Sequence, residues 1–170
     1  KTPEKFWLRW KEPCGEPCEP SLFTPDRYPN ELDRSVLQFF EPHRLLEYIH
    51  DFIIFDGGRK KTARPNQYFA IKAAQPRVRN KENGIIWHSQ GAWKSLTMVW
   101  LAQWIRENVV DARVVVITDR DELDKQIETG FKDAGEKIRR ARSGAQLVSM
   151  LNEAEPWLIC TLIHKFGNRN

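Results

Sequence analysis

Gly84-Ile85-Ile86-Trp87-His88-Ser89-Gln90-Gly91-Ala92-Trp93-Lys94-Ser95 is the stretch from which the rest of this chain is best read. A short apolar run, 84–88, has the look of a strand. It passes at once into Gly91-Ala92-Trp93-Lys94-Ser95, and a helical stretch follows from Lys94 to about Glu107. Strand, tight turn and helix in that order form the setting of a phosphate-binding loop. There, backbone N–H groups and the helix N-terminus cradle phosphate oxygens. The lysine of such a loop reaches the β- and γ-phosphates, and the hydroxyl after it ligates magnesium. Lys94 and Ser95 fit those two roles, which makes Ser95 the candidate metal ligand, and Gly91 fits the tight turn. The position before the lysine is usually Gly, and here it is Trp93. A bulky residue forced into a strained backbone costs of order 1–3 kcal/mol. Its indole must also find room where ligand or backbone would lie. The rival reading is a relaxed loop in which Trp93 packs into the core.

Working outward, the helix after Ser95 is apolar almost all round: Leu96, Met98, Val99, Trp100, Leu101, Ala102, Trp104 and Ile105. A helix of that kind is covered on more than one side. Val114-Val115-Val116-Ile117 is an unbroken β-branched run, as expected of a parallel strand with both faces covered. Helices are expected over 121–131 and 144–154, and a third strand over 157–163. Strand, helix, strand, helices, strand defines an α/β class with a parallel sheet. Upstream, a helix is expected over 66–78, with Tyr68, Phe69, Ile71 and Ala74 as its apolar positions. Leu45, Leu46, Ile49, Phe52 and Ile53 recur at helical spacing behind Pro42, which suits a first helical turn. The first 35 residues contain Pro3, Pro13, Pro17, Pro20, Pro25 and Pro29 and read as an extended connector. In it Phe6, Trp7, Leu8 and Trp10 form an aromatic knot, expected to pack on a neighbouring domain.

Composition narrows the function class. Charged residues at 29% and hydrophobic residues at 41% suit a globular chain, not wholesale disorder. No apolar run approaches the roughly 20 residues of a membrane span. The opening Lys1-Thr2, with no Met and no apolar signal core, suggests a piece of something longer and gives no support for secretion. Cys14 and Cys18 lack two further ligands at zinc spacing, because His43, His50, His88 and His164 are scattered. The expected state is reduced and cytoplasmic, with Cys160 a buried thiol inside an apolar run. Charge is uneven. No acidic residue occurs from Gly57 to Lys81, where Arg59, Lys60, Lys61, Arg64, Lys72, Arg77, Arg79 and Lys81 fall. Such a stretch suits phosphate backbones, or is a solvated face.

Several motifs in chain order resemble one family. They are Phe39-Phe40-Glu41-Pro42-His43-Arg44-Leu45-Leu46, Arg64 with Gln67-Tyr68-Phe69-Ala70, and Ile86-Trp87-His88-Ser89-Gln90-Gly91 with Lys94-Ser95-Leu96-Thr97-Met98. Val116-Ile117-Thr118-Asp119-Arg120 with Leu123-Asp124 and Gln126 continues the series, as does Thr161 with Lys165-Phe166-Gly167. Together, over nearly the whole chain, they resemble the restriction (motor) subunit of type I restriction–modification enzymes, a superfamily 2 helicase-like ATPase. The resemblance implies a partial RecA-like P-loop domain: an N-terminal part of the first motor lobe over 63–170, preceded by a helical lead-in over 36–62. The connector over 1–35 would then come from an upstream nuclease domain. It implies ATP with Mg2+ as cofactors, duplex DNA as substrate track, and modification and specificity subunits as partners.

The resemblance also distributes roles. Gly91, Ala92, Trp93, Lys94 and Ser95 would hold the phosphates, while Gln67 with Arg64 would sit where related motors read adenine. Thr118, Asp119, Arg120, Thr161 and Lys165 would face DNA. His164 stands where the family has Gln. On the residues alone, Gln67 is a two-sided amide able to read adenine or a plain helix-surface residue. Lys165 touches phosphate or is merely exposed, and most of the seven tryptophans fall on apolar faces, which favours core packing over stacking on bases. No acidic pair follows the third strand, and neither a second lobe nor a nuclease motif is in the sequence. The chain is therefore expected to be part of a motor and not a whole one. The alternative is a catalytically dead module that binds DNA or another subunit.

Overall fold

The computed structural model of the chain describes residues 10, 30–89 and 94–167. Two short helices come first, α1 (Glu31–Phe39) and α2 (Pro42–Asp51), followed by an antiparallel hairpin, β1 (Ile53–Asp56) and β2 (Arg59–Thr62). Next are α3 (Pro65–Arg79), α4 (Lys94–Asn108), β3 (Val114–Thr118), α5 (Asp121–Asp133), β4 (Ile138–Arg140), α6 (Gly144–Asn152) and β5 (Leu158–Leu162). The chain then enters a 3-10 turn, Ile163–Phe166. Caps explain several starts. Asn30 accepts from the Asp33 N–H at 2.9 Å, Glu41 from Arg44 at 2.7 Å, and Ser143 from Gln146 at 3.1 Å. Pro42 and Pro65 occupy first-turn positions, where the missing N–H costs nothing.

The three-stranded sheet is parallel, in the order β3-β5-β4. All five residues of β5 are buried. Leu158 and Cys160 turn to one face, into a core with Ile71, Val99, Trp100, Ile127, Phe131 and Ile138. Ile159 turns to the other, against Ala141, Leu147 and Met150. Both faces of the sheet are therefore covered, and the class is α/β, as the β-branched runs predict. Cys160 is a free thiol at no measurable exposure, and burial first, then the Asp124 carboxylate, pushes its pKa up to about 12. It is a packing residue, not a nucleophile.

Four details differ from the sequence reading. The run 84–88 is not a strand: Ile85 and Trp87 are 90% and 89% exposed, and among the described residues no strand runs beside it. Apolar composition gives strand propensity, but a strand exists only where a neighbour completes its hydrogen bonds. The third strand of the sheet is β4, hidden in sequence within the basic cluster Lys137–Arg142. The lead-in contains the β1–β2 hairpin, turned at Gly57 and Gly58 with φ of 55° and 78°, and α1 crosses the expected boundary at residue 35. Trp10, finally, packs on this chain's own helices. Its ring lies 5.0 Å from Phe39, 5.2 Å from Tyr68 and 5.0 Å from Phe69, with the Arg44 guanidinium 5.7 Å from it. Phe6, Trp7 and Leu8 lie outside the described residues.

One ion-pair cluster closes the sheet's far edge. Arg140 of β4 donates Nε to Asp124 and Nη2 to Asp121, both on α5. Asp124 is fully buried, and Arg140 compensates the charge through Oδ2, while Oδ1 has no partner among the described residues. The Asp121 carboxyl is held below its ordinary value by Lys125 first and Arg140 second. Arg140→Met leaves the Asp124 charge buried without its partner. It is expected to lower urea-unfolding stability by about 3–5 kcal/mol, with Asp124→Leu/Arg140→Met recovering much of the loss. Wild-type stability in the single variant would show that the pair does not anchor β4.

Candidate nucleotide site and strand-end face

Two helix starts lie side by side. At the first, Arg64 is the N-cap of α3, and Gln67 closes a capping box by accepting from the Arg64 N–H at 2.8 Å. Gln67 is 1% exposed, so it is no surface residue. Its Nε2 donates across to Thr97 Oγ1 at 3.3 Å, in the first turn of α4. That bond joins the start of α3 to the start of α4, three residues from Lys94. The two helices remain together further along, where the Arg79 guanidinium lies 5.0 Å from the Trp104 ring. They thus run in the same direction, and their N-terminal, partly positive ends point the same way.

At the second start, α4 begins on Lys94, which is exposed, with Ser95 half-buried behind it. No acidic residue lies in its first turn, and the rest of the helix is fixed by Leu96, Val99, Trp100, Ala102 and Trp104 in the core. Free N–H groups, a lysine and a hydroxyl at one helix start make a donor set suited to an anion. His88 Nδ1, just before the loop, is buried and has no partner among the described residues. Gly91, Ala92 and Trp93 lie outside the described residues. The chemistry of Lys94, Ser95, Gln67 and Arg64 fits a phosphate-bearing ligand.

The second group of sequence candidates gathers at one edge of the sheet. Parallel pairing sets Thr118 beside Leu162 and Ile117 beside Thr161, so the segments after β3 and β5 emerge together. Asp119 and Arg120 are exposed there, paired at 3.6 Å. Thr118 is buried, and Thr161 is fully buried with its hydroxyl unpartnered among the described residues. Lys165 is half-buried and donates Nζ to the Ala141 carbonyl. Of the five, Asp119 and Arg120 are exposed, Thr118 and Thr161 are buried, and Lys165 is half-buried. Sequence reading missed Thr97 and Asp124 as organising residues. Their signals were the i, i+3 capping-box spacing at Arg64–Gln67 and an acid on the apolar face of α5.

The Gln67–Thr97 bond predicts energetic coupling between α3 and α4. A double-mutant cycle with Gln67→Ala and Thr97→Val is expected to return about 0.5–1.5 kcal/mol of interaction in chemical denaturation. Additive losses would mean that the two helix starts are independent.

Comparison with known proteins gives the family. A family model described as SWI2/SNF2 ATPase matches residues 66–170. A type I restriction enzyme endonuclease subunit of Methanocaldococcus jannaschii is 30% identical over 151 residues, covering 82% of this chain and 14% of that protein. The type I restriction enzyme SauCOLORF180P endonuclease subunit of Staphylococcus aureus is 30% identical over 142 residues, covering 81% and 15%. The HindI endonuclease subunit of Haemophilus influenzae is 26% identical over 144 residues, covering 69% and 14%. The chain thus spans about one seventh of the length of these relatives. Among the described residues no helix is long and apolar enough to cross a membrane. With a family match over more than half its length, the chain belongs to the SWI2/SNF2 ATPase family, and the three relatives named are type I restriction enzyme endonuclease subunits.

Proposed function

We propose that this chain is part of the ATP-dependent DNA-translocating motor of a type I restriction endonuclease subunit, contributing its nucleotide-phosphate loop. The observation that carries the reading is the Gln67–Thr97 bond, which brings the starts of α3 and α4 together. In this reading residues 63–170 belong to the first motor lobe, 36–62 lead into it, and 1–35 connect it to a nuclease domain. Bound ATP and Mg2+ supply the phosphoryl chemistry. Lys94 and the N–H groups of the first turn of α4 orient and neutralise the phosphates, and Ser95 Oγ holds the magnesium. Gln67 and Arg64 contact the adenine, with Gln67 held in place by Thr97. The exposed Asp119–Arg120 segment after β3 follows the DNA backbone. Duplex DNA and the modification and specificity subunits are the partners, in the cytoplasm.

Trp93 weakens nucleotide binding in this scheme. A second reading, a catalytically dead module binding DNA or another subunit, draws on that residue and on Gln67, whose amide is already engaged at both ends.

Equilibrium binding of labelled ATP with Mg2+ to the chain and to Trp93→Gly separates the readings. Removing 1–3 kcal/mol of strain corresponds to roughly a 5- to 150-fold gain in affinity for Trp93→Gly. Adding Lys94→Ala should abolish that gain. Binding by neither variant, with both folded and with salt-sensitive DNA binding unaffected by nucleotide, would contradict the motor reading and favour the second.

A further inference from the structure

Three helices end around one cavity of about 460 Å³: α2 at Asp51, α4 at Asn108 and α5 at Asp133. Each sets a carboxylate in its last turn on the cavity wall, Asp51, Glu107 and Asp133 respectively. That is the wrong sign for a helix C-terminus, which carries roughly half a negative charge of its own. Of the basic residues in those last turns, Arg106 and Lys132 are turned elsewhere. Arg106 reaches Glu136 at 3.2 Å and lies 4.9 Å from the Trp157 ring, and Lys132 pairs with Glu128 at 2.6 Å. What faces the carboxylates instead is an imidazole. His50 Nδ1 bonds to Asp51, and one ligand atom from each of His50, Asp51 and Glu107 lies within 4.8 Å of the others. Two carboxylates beside an accessible imidazole, with a third carboxylate and three helix ends on the same cavity, are an arrangement that a bound cation offsets.

We propose that His50, Asp51 and Glu107 bind a divalent metal ion, with Asp133 adding its field from the same cavity and water completing the shell. One imidazole and two carboxylates, without a thiolate, suit a borderline ion such as Zn2+ or Co2+. The ion would tie the end of α2 to the end of α4. The site is distinct from the nucleotide loop, since Ser95 and Glu107 are twelve residues apart on one helix, or about 18 Å along its axis. The proposal does not rest on the motor reading. No residue pair in it has a metal-motif spacing, which is why the scattered histidines gave no signal.

The test is titration of the nucleotide-free chain with Zn2+ by calorimetry and with Co2+ by absorption spectroscopy. The expected result is one ion per chain, with affinity falling by at least about tenfold in both His50→Ala and Glu107→Gln. Far-UV circular dichroism without metal confirms that both variants remain folded, and the wild-type midpoint of unfolding should rise with Zn2+ while theirs does not. Binding undiminished in both variants, or no binding at all, overturns the proposal. So does a Co2+ spectrum with thiolate charge-transfer absorption, which would place the ion on cysteine. Loss of binding in Ser95→Ala alone would move the ion to the phosphate loop and overturn it equally.

Discussion

The burial of β5 is the constraint on which the other elements depend. Its five residues pair with β3 on one side and β4 on the other, and they are covered on both faces. A strand enclosed in this way cannot slip by one residue, because Leu158 and Cys160 would exchange faces with Ile159. Its register therefore fixes where β3 and β5 end and which segments emerge beside each other. Helices α4 and α5 are held through the same core, and α4 in turn fixes where Lys94 and Ser95 lie.

The proposed nucleotide site lies at helix starts, where the first-turn N–H groups have no partner within the helix. The α3 start is completed internally by its capping box, and Gln67 then reaches across to Thr97. One side chain thus does two jobs, closing α3 and aligning it with α4. Any ligand that touches both helix starts is read by a pair of elements whose spacing is already set. Such preorganisation keeps the cost of ordering out of the binding step.

Much of this was legible in sequence wherever the physical signal is local. The β-branched run at Val114–Ile117, the apolar run before Ile163 and the all-round apolar helix after Ser95 each announce burial; 158–162 is fully buried, whereas Ile117 and Met98 remain exposed in otherwise covered elements. What escaped depends on contacts between distant residues. The strand at Ile138–Arg140 is short and carries two arginines, so nothing but its pairing with β5 defines it. Conversely, 84–88 has strand composition but no neighbour among the described strands. Surroundings escape sequence in the same way: Thr161 is fully buried and Lys165 donates to the Ala141 carbonyl, neither of which local pattern states. A sequence states what a side chain can do; the partners it meets decide which of those things it does.

The central claim is that one ligand engages the starts of α3 and α4 together. Amide hydrogen exchange of the Trp93→Gly chain, with and without saturating ATP and Mg2+, tests it most directly. Slower exchange is expected in two separate stretches, 66–68 and 94–97, with little change in α6. Protection confined to one helix start, or found elsewhere in a chain that demonstrably binds nucleotide, would contradict it.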